Sequence, residues 1–260
     1  MYMKYLHKFI FFLAGLFITM PAFSQTDQPF DLYLLIGQSN MAGRGNITGD
    51  FANEGSPQVF MLNKASQWVP ARHPLHFDKP AVAGVGPGLS FGIEMAKAAP
   101  GHRIGLIPCA VGGTSIDVWK PGAYDSATHT HPYDDMLLRL REAQKHGILK
   151  GIIWHQGESD SNPARSEGYL KKLEELVALL RAAAGNDHLP FIAGQIGRYN
   201  VNNANINNQL SKLPQELKYT GVASSEGFIP KEDHIHFTSE SADAFGVRFA
   251  EEMKKVQSKN

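Results

Sequence analysis

From Phe30 onward, short apolar runs alternate with longer segments of helical period, and this alternation restricts the chain more than any other feature. It is the pattern of a parallel sheet covered on both faces by helices. Strands are expected at 30–36, 59–62, 103–108, 151–155, 190–195 and 219–223, several of them apolar on consecutive positions, as strands buried on both faces should be. Helices are expected at 88–98, 133–145, 164–184, 203–217 and 239–256. The third has the clearest period, with Leu170, Leu173, Leu176, Val177 and Leu180 on one stripe and charges opposite. No internal repeat and no Pro/Gly/Ser-rich linker divides the chain, so residues 25–260 read as one α/β domain.

A hydrophobic content of 43% over 260 residues supplies a sizeable core and excludes disorder as the dominant state. Lys plus Arg number 25 and Asp plus Glu 25, so no global field draws the chain to nucleic acid or to an anionic membrane. The single cysteine, Cys109, excludes an internal disulfide and any multi-cysteine metal site, and its place at the end of an apolar strand makes it a small buried hydrophobe. At the N-terminus, Lys4 and Lys8 flank the start of an apolar run over 9–20 that is short for a membrane span. Ala22 and Ser24 then place small side chains at signal-peptidase spacing. The expectation is a signal peptide over 1–24, cleavage before Gln25, and a mature protein that is periplasmic or secreted and free of the membrane.

Ligands of open α/β sheets bind beyond the carboxyl ends of the strands, so the residues following each strand are the ones to read for chemistry. After the first strand, Gly37-Gln38-Ser39-Asn40-Met41 holds a serine at a tight turn, although Met41 stands where the α/β-hydrolase elbow has glycine. Ser39 is a candidate nucleophile; its plainer reading is a helix cap. A serine hydroxyl needs a base and the base an orienting acid, and Asp233-His234-Ile235-His236-Phe237 offers both within one loop ahead of the last helix. The pairs His234/His236 and His129/His131 have the spacing of metal ligands, but no third cluster accompanies them, and neither metal nor cofactor is expected. Gly113, after the 103–108 strand, suits a backbone donor to an oxyanion, and Gln156 and Glu158, after the 151–155 strand, add an amide and a carboxylate.

Together, Gly37 to Met41, Gly112-Gly113-Thr114-Ser115-Ile116, Trp154-His155-Gln156-Gly157-Glu158-Ser159-Asp160 and Asp233 to Phe237 resemble, in order, the blocks of the SGNH-hydrolase superfamily, and most closely its sialate O-acetylesterase and acetylxylan-esterase branch. The resemblance implies a flavodoxin-like three-layer α/β/α fold and metal-free serine esterase chemistry on acetylated carbohydrate. It makes Ser39 the nucleophile, His236 the base and Asp233 its orienting acid, with Glu158 a competing candidate for that acid. The amides of Ser39 and Gly113 become the oxyanion hole, and Gln156 stands where the wider superfamily has an asparagine donor. Arg44, Trp119, Tyr124, Arg198 and Tyr199 are candidates to line a sugar cleft, with packing or a solvated loop as the plainer reading of each. Two other readings remain open: a specific sialate O-acetylesterase, and a carbohydrate-binding domain without turnover.

Overall fold

A computed structural model describes residues 29–259; the expected leader over 1–24 and its cleavage point before Gln25 lie outside the described residues. In chain order the elements are β1 (Phe30–Gly37), α1 (Ser39–Ala42), β2 (Val59–Leu62), β3 (Trp68–Pro70), α2 (Gly88–Ala98), β4 (Arg103–Pro108), α3 (Pro132–Gln144), β5 (Gly147–His155), α4 (Pro163–Ser166), α5 (Tyr169–Ala184), β6 (Phe191–Gly194), α6 (Asn203–Leu210), α7 (Leu213–Glu216), β7 (Thr220–Ala223) and α8 (Ser239–Gln257). The strands form one seven-stranded sheet in the order β3-β2-β4-β1-β5-β6-β7. Only β3, on the edge, runs antiparallel to its neighbour.

The period-2 side-chain alternation of β1 divides the core into two layers. Leu32, Leu34 and Ile36 pack with residues of α3, α5, α6 and α7, among them Met136, Leu173, Ile206 and Leu213. Tyr33 and Leu35 face the other way, against Leu89 and Met95 of α2 and Phe245 and Phe249 of α8. The result is the three-layer α/β/α arrangement expected from the alternation. From β1 the chain builds β2 and β3 on one side, returns to place β4 beside β1, and then crosses to β5, β6 and β7 on the other side; the crevice of such a sheet opens at the strand ends where the winding changes side. The loops after β1, β4 and β5 are thereby neighbours.

Where observed elements depart from expectation, local chemistry accounts for it. The helix expected at 164–184 is two: Pro163 opens α4, Asn162 caps it by accepting from the Arg165 amide, and Gly168 interrupts the run before α5. The helix expected at 203–217 likewise breaks after Leu210, and Pro214 occupies the first turn of α7. Strand β5 starts at Gly147, earlier than expected, because it pairs with β1 from Phe30 onward and shifts register between Leu32 and Tyr33. The three-residue β3 is too short to leave a pattern in the sequence, and its Pro70 is at home only on an edge. Cys109 is buried, and burial pushes its thiol up to about 11.

Candidate active site

Gly37 ends β1 in a conformation (φ +131°) that side chains rarely adopt, and a Cβ there would stand 2.0 Å from the His155 carbonyl oxygen. Glycine alone lets β1 and β5 run side by side to their carboxyl ends. Directly beyond, Ser39 opens the single turn α1, so its amide points away from the helix with no intrahelical acceptor. Its side chain borders an open cleft of about 550 Å³ whose walls include Arg44, Gly113, Glu158, Asp233 and His236.

His236 Nε2 lies 3.0 Å from Ser39 Oγ across a sequence separation of 197 residues, and His236 Nδ1 lies 2.7 Å from Asp233 Oδ2. The Asp233 Oδ1 atom accepts from the amides of Ile235 and His236, both at 2.9 Å, so the Asp-x-x-His spacing closes on itself as a tight loop. Partial burial would raise the Asp233 carboxyl, but these amide bonds and the imidazole outweigh it and bring it down to about 2. An ionised Asp233 accepts the Nδ1 proton, which leaves Nε2 free to accept from the serine hydroxyl.

The turn after β4 carries Gly113 at φ +93°, and among the described residues the amides of Ser39 and Gly113 donate to no protein acceptor. Asp78, a residue that sequence reasoning missed, holds this turn: its Oδ2 accepts from the Gly112 amide at 2.8 Å and from Arg44 Nη2 at 2.7 Å. Burial works against the Asp78 charge, yet the Arg44 guanidinium and the Gly112 amide hold its carboxyl below the usual range. The segment around Asp78 has no periodicity or motif that would have singled it out.

Five of the sequence candidates stand elsewhere than expected. Gln156 is fully buried, and its amide nitrogen donates to Gln38 Oε1, the Thr114 carbonyl and Asp160 Oδ2, so it offers no donor to the cleft. It is a strut instead: Asp160 also accepts from Ser115 Oγ and the Ile116 amide, and the pair ties the loops after β1, β4 and β5 together. Trp119 is in the core, edge-on to Trp154, with its Nε1 donating to Thr114 Oγ1. Arg198 lies in a separate cleft with Gln195, to which it donates. Tyr199 borders that second cleft as well and packs on Phe237, while Tyr124 is exposed beside His129 and His131. Arg44 does border the Ser39 cleft, but its guanidinium is engaged by Asp78 and the Gly43 carbonyl.

Glu158 borders the cleft without bonding His236; its Oε1 accepts from Asn40 Nδ2 at 2.6 Å and stands 3.9 Å from His155 Nδ1. Burial, opposed by the Glu158 charge, pushes the His155 imidazole down, and its Nε2 donates to the Gln195 carbonyl. Three of the four histidines weighed as metal ligands have other side-chain contacts: His131 Nδ1 bonds the Ala123 carbonyl, His129 Nδ1 bonds Tyr124 Oη, and His236 bonds Asp233 and Ser39.

A family model described as "carbohydrate esterase, sialic acid-specific acetylesterase" matches residues 29–255. The chain belongs to that family. A probable carbohydrate esterase from Arabidopsis thaliana is 31% identical to this esterase over 244 residues, which is 86% of this chain and 90% of that protein. An Arabidopsis thaliana crystal structure superposes on it with a TM-score of 0.78 at 29% identity, over 87% of this chain and 98% of that one. Two more distant structures share the fold. A carbohydrate acetylesterase from Xanthomonas citri superposes with a TM-score of 0.68 at 22% identity, over 88% of this chain and 57% of that one. For NanS the TM-score is 0.67 at 16% identity, over 90% and 99% of the two chains. This carbohydrate esterase is accordingly a carboxylic-ester hydrolase, and among its described residues no helix is long and apolar enough to cross a membrane.

Proposed function

We propose that this esterase removes O-acetyl groups from carbohydrates through an acetyl-enzyme on Ser39, with His236 as the base and Asp233 as its orienting acid. The observation that carries the reading is the chain of contacts from Ser39 Oγ to His236 Nε2, at 3.0 Å, and from His236 Nδ1 to Asp233 Oδ2, at 2.7 Å, at the edge of an open cleft. His236 takes the Ser39 proton as Oγ attacks the acetyl carbonyl, and the amides of Ser39 and Gly113 receive the oxyanion. The bond to the sugar oxygen breaks, and the alcohol leaves with the proton returned by His236. Water then gives a proton to the same imidazole, attacks the acetyl-enzyme, and releases acetate as Ser39 recovers its hydrogen. Replacing Ser39 by alanine should lower acetate release by several orders of magnitude while the thermal midpoint stays near that of the parent. Near-normal turnover would remove Ser39 from the reaction.

Among acetylated glycans, the lining of the cleft favours those carrying a carboxylate, as sialic acids do, over neutral acetylxylan. Lys79 and Lys231 both border it, and among the described residues neither ammonium group is ion-paired; Lys231 Nζ donates only to the Arg44 carbonyl and Asn46 Oδ1. Acetate release from 9-O-acetyl sialic acid, acetylxylan and a small aryl acetate tests this reading. Replacing both lysines by alanine should raise KM for the acidic sugar and leave the aryl ester unaffected; equal effects on all three would refute it. Export rests on the leader expected over 1–24, and sequencing the mature N-terminus should read Gln25 first.

A further inference from the structure

One set of contacts has no part in the chemistry proposed for Ser39: a buried asparagine beside the nucleophile is hydrogen-bonded to both chain neighbours of His236. Asn40 follows Ser39 in α1 and is 3% exposed. Its Nδ2 donates to the Ile235 carbonyl at 3.1 Å, and its Oδ1 accepts from the Phe237 amide, also at 3.1 Å. The same Nδ2 donates to Glu158 Oε1 at 2.6 Å. We propose that Asn40 is a positioning residue: its amide, aimed by Glu158, grips the backbone on either side of His236 and keeps the imidazole in line with Ser39.

Degrees of freedom show why such a grip is needed. His236 sits in a loop without regular secondary structure, connected to its own surroundings by short-range bonds such as that from the Lys231 amide to the His236 carbonyl at 2.7 Å. Asp233 travels with that loop, so the pair Asp233–His236 keeps its geometry even when the loop as a whole shifts. What needs a long-range tie is the relation between loop and nucleophile, and a shift of about 1 Å there is enough to cost about 10² in rate. The Phe237 ring anchors the loop below, packed against His155, Tyr199, Phe228 and Phe245. Asn40 ties it directly to the turn that carries Ser39. An asparagine amide has two orientations related by a flip, and only one satisfies a carbonyl and an N–H in this arrangement. The Glu158 carboxylate selects it, since the flipped form would place Oδ1 against both the carboxylate and the Ile235 carbonyl.

This inference rests on the roles proposed for Ser39 and His236, and steady-state kinetics on a small aryl acetate tests both separately. Asn40→Ala should lower kcat by about 10² with KM within about twofold of the parent, because the ester still binds while the base is misplaced. Asn40→Asp should lose at least as much, since it removes the donor and sets a like charge beside Glu158. Adding Glu158→Gln to Asn40→Asp should recover about tenfold or more, because the amide introduced at position 158 can donate to the new carboxylate, an effect that a generally loosened fold would not produce. Should Asn40→Ala fail to fold, Glu158→Ala, a change at the cleft wall, should still lower kcat by about tenfold at constant KM. A folded Asn40→Ala with kcat within about threefold of the parent, or no recovery in the double variant, would overturn the positioning role. If Ser39→Ala keeps its turnover, the catalytic reading itself fails; if only the Asn40 series is silent, the clamp alone fails.

Discussion

The choice between two carboxylates for the orienting acid can be decided by exchanging each for its amide. Asp233 accepts three hydrogen bonds, from the His236 ring and from the amides of His236 and Ile235. In Asp233→Asn the remaining carbonyl oxygen can serve the two backbone amides, but an NH₂ group then faces Nδ1 and favours the tautomer protonated on Nε2, which cannot accept the serine proton. In a fully buried triad that error costs up to about 10⁴ in kcat, or about 5.4 kcal/mol. The Asp233 side chain is 42% exposed, so water can take over part of the Nδ1 bond. A loss of about 10² to 10³, roughly 2.7 to 4.1 kcal/mol, is the expectation here. Glu158→Gln keeps an Oε1 acceptor for Asn40 and has no bond to His236 to lose, so its kcat should fall by less than about tenfold. The assay is kcat and KM on a small aryl acetate at neutral pH, with thermal midpoints to exclude unfolding. If Glu158→Gln were the more damaging exchange, Asp233 could not be the acid and the chain of contacts described above would be incidental.

Other consequences follow from the buried polar groups. Gln156→Ala strips Asp160 and Gln38 of a buried donor, which should cost about 1 to 3 kcal/mol; at about 2–4 °C per kcal/mol for a domain of this size, the midpoint should drop by several degrees. A collapse of kcat in a Gln156 variant of unchanged stability would restore the residue to the oxyanion hole. The Asp243 carboxyl is pushed up to about 6, first by burial and then by the neighbouring Glu54 charge. A carboxyl whose folded pKa is raised contributes stability that is full below the unfolded value of about 3.9 and is lost as the pH rises through about 6. Asp243→Asn should therefore gain in thermal midpoint over the parent between pH 4 and 7, and a pH-independent difference would contradict that origin. Asp233 behaves in the opposite sense: its folded pKa of about 2 means its contribution is present above about 4 and lost as the pH falls toward 2, a window that denaturation followed from pH 5 to 2 in the parent and in Asp233→Asn would reveal. Gly37→Ala should not yield folded protein, because the new Cβ would lie 2.0 Å from the His155 carbonyl oxygen; a soluble, active variant would show that the β1–β5 contact can yield.

Much of the architecture was legible because it is written locally. Strand ends and helix periods placed six of the seven strands, and the rule that ligands gather at carboxyl ends drew attention to Ser39, Gly113 and the Asp233–His236 loop. The Asp-x-x-His pair is short-range in sequence, so its spacing was itself a geometric statement. Side-chain direction, by contrast, is set by tertiary packing. Gln156 follows a strand end as Ser39 does, but Tyr169 and Asp160 draw its amide into the interior. Trp119 and Arg198 have the composition of sugar-binding residues, yet one fills the core and the other lies in a different cleft. Asp78 acts across a separation of 34 residues on Gly112 and Arg44, and no motif announces such a contact.

The site is thus assembled from two kinds of part. The proposed nucleophile and oxyanion donors are fixed to the sheet by a buried web in which Gln38, Gln156 and Asp160 bond one another and the backbone, the condition under which polar groups in a core add rigidity, while Asp78 separately holds the Gly112 turn and Arg44. The proposed base and acid lie together on one loop, and because both lie within a few residues of each other, mutations elsewhere in that loop should displace the pair without separating it. Variants of the exposed positions Glu232 and His234 should then move kcat modestly and leave the pH dependence of the rate unchanged, whereas variants of Asp233 should alter that dependence. A changed pH profile in the Glu232 or His234 variants would mean that the loop does not move as a unit.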